Sequence, residues 1–164
     1  EEKKSKTFAL LLSSPIHLGE IIAGKFFACM IVVGLMILLS TYSTGYLILV
    51  GNPEIGPIIT GYMGILLMTG CYVAMGLFAS SLTDNQIIAA VISFGLALFM
   101  WIIGWGSQSA GSELGQIFEY LSLITHLEHF LKGLISSSDL VYYLSFILFG
   151  LFLTYRVLES SRWR

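Results

Sequence analysis

The chain has 164 residues, of which 56% are hydrophobic and only 11% are charged, and its mean hydropathy is +0.86. Soluble domains carry about 25% charged residues, so this composition excludes a soluble globule and predicts a membrane protein. The formal net charge of −2 gives no support to nucleic-acid binding, which requires a basic surface.

The first twenty residues concentrate charge ahead of the long apolar stretches and predict a cytoplasmic elbow. Phe8, Leu11 and Leu12 recur at helical spacing, which indicates a short amphipathic helix. Pro15 ends that helix, because proline lacks an N–H group and pushes Ser14 out of the α region. We therefore expect residues 1–20 to form an elbow at the membrane surface.

Four apolar runs follow the elbow. Three of them, which begin at Phe26, Ile55 and Asn85, contain no charged residue and exceed the roughly 20 residues that a membrane-crossing helix needs. The fourth, 140–155, is shorter, but a tyrosine pair near its start and Arg156 after its end suit the two membrane interfaces. The runs predict an all-α, polytopic membrane protein with four transmembrane helices at 21–50, 58–82, 86–106 and 139–158.

The positions of the basic residues predict the orientation of these helices. Seven of the eight lysines and arginines lie near the two ends of the chain, and only Lys132 lies between the third and fourth spans. The positive-inside rule therefore places both termini in the cytoplasm and the segment 107–138 outside. Apolar residues recur at helical spacing in that segment, so we expect one or two outer helices lying against the membrane.

His126 and His129 lie within one helical turn of each other in the outer segment, so a metal site or an acid–base pair is conceivable. The sequence offers no second set of ligands and no dedicated nucleophile to complete either one. We therefore interpret the two histidines, together with Glu119, Glu128 and Lys132, as a solvated polar face, and we expect no metal and no cofactor.

The sequence also suggests that the chain does not supply its own energy. Residues 19–25 match the spacing of a phosphate-binding loop up to the lysine, but Phe26 stands where the loop needs Ser or Thr to hold magnesium. No charged residue or histidine lies deep in any predicted span, whereas ion-coupled carriers usually keep such residues there. We expect neither an ATPase site nor another enzymatic site.

Several stretches, read in chain order, resemble type-2 ABC exporter permeases, and the most similar subgroup is the gliding-motility-associated permeases. The resemblance covers essentially the whole chain. It is carried by EEKKSKTFALLLSSP at 1–15, GKF at 24–26, GLFASSLTDNQ at 76–86, YLSL at 120–123 followed by His126 and Phe130, DLVYYLS at 139–145, and RVLES at 156–160.

The resemblance implies a single permease domain over 1–164 that lacks the first two of the family's six spans. It also implies a coupling helix at 8–14 that docks onto a separate ABC ATP-binding subunit, a second permease protomer, contact with membrane lipid, and a place in the bacterial cytoplasmic (inner) membrane. The coupling residues expected from the resemblance and the amphipathic pattern are Glu1, Glu2, Phe8, Leu11, Leu12 and Pro15.

The expected function is therefore that of a membrane-spanning permease subunit, which couples ATP hydrolysis by another subunit to the export of an unidentified substrate. Two alternatives stay open. One is a membrane-embedded hydrolase that uses His126 and His129, and the other is a passive membrane anchor or assembly subunit.

Overall fold

The computed structural model describes residues 17–51, 53–109 and 112–162, and these residues form α-helices and short connections with no β-strand. The all-α prediction is confirmed. In chain order the helices are α1 (Leu18–Val50), α2 (Ile55–Leu82), α3 (Gln86–Ser109), α4 (Ser112–Leu121), α5 (Leu123–Leu131) and α6 (Ser137–Arg162).

Four of these helices, α1, α2, α3 and α6, are long and apolar enough to cross a membrane, as the sequence predicts. The shortest of them has 24 residues, which gives about 36 Å of helix against a hydrocarbon core of about 30 Å. Helix α2 begins at Ile55, ahead of the expected 58, and its first turn therefore includes Pro57. A missing N–H group costs nothing at that position.

The long helices alternate in direction, which gives the bundle two ends. The terminal end holds the start of α1, the connection 83–85 and the end of α6. The opposite end, called the α4–α5 end below, holds the connection before α2, the two short helices and the start of α6. Polar groups concentrate at both ends.

Helix α2 lies at the centre and packs against α1, α3, α5 and α6. Small residues make this possible, as their four-residue spacing predicts for helices in lipid. A Cβ atom added to Gly150 of α6 would lie 3.0 Å from the Cβ atom of Ala74, and one added to Gly70 would lie 2.9 Å from Ile147. Ala74 and Cys71 are fully buried at this contact.

Helix α1 joins the bundle mainly through its first turns. Leu18, Ile22 and Phe26 are buried there, and Phe26 belongs to the same apolar cluster as Cys71 and Ala74. Beyond them most apolar side chains of α1 face outward, and Leu39 is 73% exposed. An exposed apolar surface on a helix of this length suits contact with lipid or with another membrane helix.

Candidate functional site

The predicted coupling residues lie outside the described part of the chain. They are Glu1, Glu2, Phe8, Leu11, Leu12 and Pro15, and the predicted helix 8–14 lies there with them. Residues 1–16 lead directly into α1, so the chain enters the described structure at the terminal end of the bundle.

A cavity of about 120 Å³ lies at this terminal end. Helices α1, α2, α3 and α6 all contribute to its walls, together with the connection between α2 and α3. Its lining combines apolar side chains with hydroxyl, amide and charged ones. The lining residues are Ile21, Ile22, Lys25, Leu77, Ser80, Ser81, Thr83, Asp84, Asn85, Gln86, Ala89, Thr154 and Leu158.

Side-chain caps fix the helix starts around the cavity. At the start of α1 the backbone N–H of His17 donates to Glu20 Oε2 over 3.3 Å. At the start of α3 the backbone N–H of Ile87 donates to Asn85 Oδ1 over 2.9 Å, and the N–H of Asn85 donates to Thr83 Oγ1 over 3.2 Å. These bonds satisfy N–H groups that have no partner within their own helix.

A second polar cluster lies at the α4–α5 end, where Asp139 in the first turn of α6 meets two histidines of α5. Asp139 Oδ1 lies 2.6 Å from His126 Nδ1, and Asp139 Oδ2 lies 2.8 Å from His129 Nδ1. The Asp139 and His126 side chains are 2% and 10% exposed, whereas that of His129 is 47% exposed. One buried carboxyl group therefore links two imidazoles, and only His129 reaches far into solvent.

The chain reverses sharply between α5 and α6, and this turn brings the three side chains together. Gly133 follows α5 with a φ of 81°, a left-handed conformation that glycine adopts without strain. Its N–H donates to the carbonyl of Phe130 over 3.1 Å, and the N–H of Leu134 donates to the carbonyl of His129 over 3.0 Å. These bonds close the end of α5 and direct α6 back along it.

Tyrosines of α6 hold the junction between α4 and α5 through backbone carbonyls. The Tyr142 hydroxyl donates to the Leu121 carbonyl and the buried Tyr143 hydroxyl donates to the Leu123 carbonyl, both over 2.7 Å. The Tyr142 ring also stacks on the His126 ring, with centroids 4.0 Å apart. Helix α6 thus fixes both short helices through polar and ring contacts.

Helix α5 is also bonded to α2. The Thr60 hydroxyl donates to the Phe130 carbonyl over 2.6 Å, and both residues are buried. Gly64 leaves room for α5 close by, since a Cβ atom there would lie 2.8 Å from both Leu127 and Phe130.

The expectation of a wholly solvated histidine face is therefore wrong for His126. Its helix does not only rest on the membrane surface, because α6 covers the face that carries His126. The expectation is right for Glu119, which is exposed, and for Glu128 and Lys132, which form an exposed pair over 3.5 Å. Asp139 is the member that sequence reasoning missed, although an acidic residue in the first turn of a transmembrane helix is a usable signal.

The hydrogen bonds of the cluster join α4, α5 and α6 to one another. Both ring nitrogens of His126 are occupied, by Asp139 and by the Tyr120 carbonyl 3.0 Å from Nε2. His129 keeps Nε2 free for solvent, but no hydroxyl or thiol of residues 17–51, 53–109 and 112–162 is hydrogen-bonded to it. Among those same residues, no three or more His, Cys, Asp or Glu side chains are arranged so that they could hold a metal ion.

The chain is similar in sequence to a known family of membrane transport proteins. A family model described as ABC-2 family transporter protein matches residues 1–156, which is almost the whole chain. Searches of curated proteins and of solved structures gave no match.

Proposed function

Because this chain belongs to the ABC-2 family of transporter proteins and is a permease component of an ABC transporter, we propose that it couples ATP hydrolysis by a separate subunit to export of a substrate. The bacterial cytoplasmic membrane is the proposed location. The gliding-motility-associated subgroup is the proposed relationship within the family, and the quoted motifs support it.

The observation that carries the proposal is the family match, which includes the first sixteen residues, together with the cavity at the terminal end. The described part of the proposed elbow, residues 17–20, leads into Ile21 and Ile22 in the wall of this cavity. Seven of the eight basic residues also belong to the termini, so the positive-inside rule turns this end toward the cytosol. A cytosolic ATP-binding subunit would therefore meet the elbow and the cavity rim together.

Helix α1 is suited to transmit movement from the elbow. Its first turns are buried, with Ile22 and Phe26 against the bundle. Most apolar side chains farther along α1 are exposed, and Thr44 is hydrogen-bonded there to Tyr62 of α2 over 2.6 Å. A displacement of the elbow therefore acts first on α2 and α6, which pack against the start of α1. Rigid helices that shift against one another are a common basis of such transitions.

The same helices carry the displacement to the other end. Thr60 of α2 and Tyr143 of α6 are bonded to α5, so α5 moves with them. Closure of two ATP-binding subunits on nucleotide would thus reach the α4–α5 end through α2 and α6. In this proposal the short helices border the exit of the transport path.

The charge distribution also favours an energy source outside the chain. In the described spans the charged side chains lie near helix ends, such as Glu20 and Lys25 in α1 and Arg156 and Glu159 in α6. Ion-coupled carriers usually keep ionisable groups near the bilayer midplane. A partner that hydrolyses ATP fits this distribution better than an ion gradient does.

A second permease protomer is the further partner that we propose. The outward apolar face of α1 includes Leu35, Leu39 and Tyr42, which are 58%, 73% and 87% exposed. Membrane lipid or a facing protomer would cover these side chains.

The test of coupling replaces Leu11 and Leu12 by alanine in the permease that is co-expressed with its ATP-binding subunit. If these leucines are buried anchors, the two truncations together should cost roughly 2 kcal/mol or more of binding free energy. That cost corresponds to about a 30-fold loss of affinity for the ATP-binding subunit. Co-purification of the two subunits and stimulated ATP hydrolysis should both fall, while membrane insertion should be unchanged.

The matched control is the double variant Leu144→Ala/Leu148→Ala, which makes the same chemical change at two exposed leucines of α6, away from the elbow and from the α1 face proposed to meet a second protomer. This control should co-purify like the wild type. Normal co-purification and normal ATPase stimulation in the Leu11/Leu12 variant would show that the elbow is only a membrane anchor.

A further inference from the structure

The hydrogen bonds of His126 reveal how many protons it shares with Asp139. Its Nε2 atom lies 3.0 Å from the backbone carbonyl oxygen of Tyr120, and its Nδ1 atom lies 2.6 Å from Asp139 Oδ1. A carbonyl oxygen can only accept, so Nε2 must carry a hydrogen. A neutral imidazole has just one N–H, which would leave Nδ1 with a lone pair toward Asp139.

A lone pair on Nδ1 and an ionised carboxylate would repel each other at 2.6 Å. The contact is attractive only if a further proton lies between the two atoms. That proton makes either an imidazolium–carboxylate pair or a neutral imidazole with a protonated carboxyl group. In both forms the two side chains hold two protons together, and their summed charge is zero.

We propose that His126 and Asp139 form a buried proton-binding site. We further propose that the bound proton joins α4 and α5 to the first turn of α6, because it allows both hydrogen bonds of His126 to form. Through Nε2 the imidazole holds the last turn of α4, and through Nδ1 it holds α6. Both bonds can exist together only while the proton is bound. Its loss would turn one of them into a repulsive contact between two acceptors in a buried site.

The surroundings favour the occupied state. The carbonyl groups at the end of α4 form the negative end of its helix dipole, and the Nε2–H group of His126 donates to one of them, that of Tyr120. The second oxygen of Asp139 accepts from His129 Nδ1, and this single donation needs only a neutral His129. His129 is half-exposed and therefore provides a contact through which the buried carboxyl group exchanges protons with solvent.

On the packed helices, no other charged side chain that the structure describes is bonded to His126 or Asp139. Glu128 and Lys132 are exposed and bonded to each other, and Glu119 is exposed on α4. The other ionisable side chains of the packed helices are ordinarily neutral or lie at the terminal end. The neutral ones are Tyr120 of α4, Tyr142, Tyr143 and Tyr155 of α6, and Tyr62, Cys71 and Tyr72 of α2. Arg156 and Glu159 of α6 lie at the terminal end and are bonded to each other.

Asp139→Asn is the decisive variant, because its side-chain amide N–H takes the place of the shared proton between His126 and Asp139. The Asn amide nitrogen donates to His126 Nδ1, and its oxygen accepts from His129 Nδ1–H. His126 is then neutral with its hydrogen on Nε2, and every bond of the cluster persists. This variant should keep these bonds as the pH rises, because none of them depends on the extra proton.

The experiment measures amide hydrogen exchange of residues 115–131 in the full-length protein in detergent, corrected for the intrinsic pH dependence of exchange. In the wild type, protection should fall by about tenfold or more as rising pH removes the proton. Asp139→Asn should show no such fall. His129→Gln keeps a side-chain N–H for Asp139 and should behave like the wild type.

Equal pH dependence in the wild type and in Asp139→Asn would overturn the proposal, and so would protection in the wild type that is independent of pH.

If Asp139→Asn does not fold, the wild type is tested by nitrogen-15 NMR of the histidines together with infrared spectroscopy of the carboxyl group. Two protons on the pair are expected. A singly protonated His126 beside an ionised Asp139 would contradict the proposal. The site works in the same way whatever substrate the protein carries.

Discussion

Buried hydroxyl groups at the α4–α5 end each donate to a particular backbone carbonyl. The Thr60 hydroxyl donates to the Phe130 carbonyl over 2.6 Å, and the Tyr143 hydroxyl donates to the Leu123 carbonyl over 2.7 Å. Among the described residues, every buried side-chain nitrogen or oxygen has a partner. Hydrocarbon offers no replacement partners, so these bonds determine where the short helices can lie.

Tyr143→Phe should destabilise the protein, because it removes a hydroxyl group and leaves the Leu123 carbonyl buried without its donor. The expected cost is about 1–3 kcal/mol, the penalty of an unsatisfied buried polar group. Thermal unfolding in detergent measures it, as a lower transition temperature. Tyr46→Phe makes the same change at a ring that is 66% exposed and should leave the transition where it is. A Tyr143→Phe protein as stable as the wild type would show that the bond contributes nothing.

The sequence allowed part of this cluster to be predicted. His126 and His129 were recognisable as a pair, because helical spacing brings residues three apart onto one face. Their contact with Asp139 was not predictable, since it depends on the turn at Gly133 and on how α6 packs against α5. A periodic pattern shows which residues share a face but not what covers that face.

Helix α2 holds the bundle together because its small residues allow close contact on several sides. Gly64 faces α5, Gly70 faces Ile147 of α6, and Ala74 faces Gly150 of α6. Association of helices in lipid depends on such packing, because burial of apolar surface provides no driving force there.

Gly64→Ala should disturb the contact between α2 and α5. The added Cβ atom would lie 2.8 Å from Leu127 Cδ1 and from Phe130 Cβ, so α5 itself must shift. Overpacking of this kind costs about 1–3 kcal/mol, which exceeds the gain of about 1 kcal/mol that alanine brings to a helix interior.

Gly95→Ala in α3 is the matched control, because an added Cβ atom meets nothing within 4 Å there. Its thermal transition in detergent should be unchanged or higher, whereas that of Gly64→Ala should be lower. Equal transitions in the two variants would show that α5 is not held tightly against α2.

The long helices themselves were predictable, because length and hydropathy alone identify a membrane span. One or two short helices were also expected between the third and fourth spans, from the apolar periodicity there. The burial of α5 beneath α2 and α6 was not, since an amphipathic helix of nine residues suits a membrane surface and a protein groove equally well. Its apolar residues Leu123 and Phe130 are fully buried within the protein.

The molecule as a whole has two polar ends joined by apolar helices. Helix α6 belongs to both ends, since Thr154 lines the cavity and Asp139 is part of the His126–Asp139 site. Helix α2 also lines the cavity, and its Thr60 is bonded to α5. This continuity gives a physical route by which an event at one end reaches the other.

The most direct measurement is photo-crosslinking in membranes that contain the ATP-binding subunit. A photoreactive amino acid is placed at Gln86, which is exposed at the terminal end, or at Ile135, which is 56% exposed at the opposite end. We predict a crosslink to the ATP-binding subunit from Gln86 and none from Ile135. A crosslink from Ile135 alone, or none from Gln86 in a complex that co-purifies, would contradict the proposed orientation and coupling.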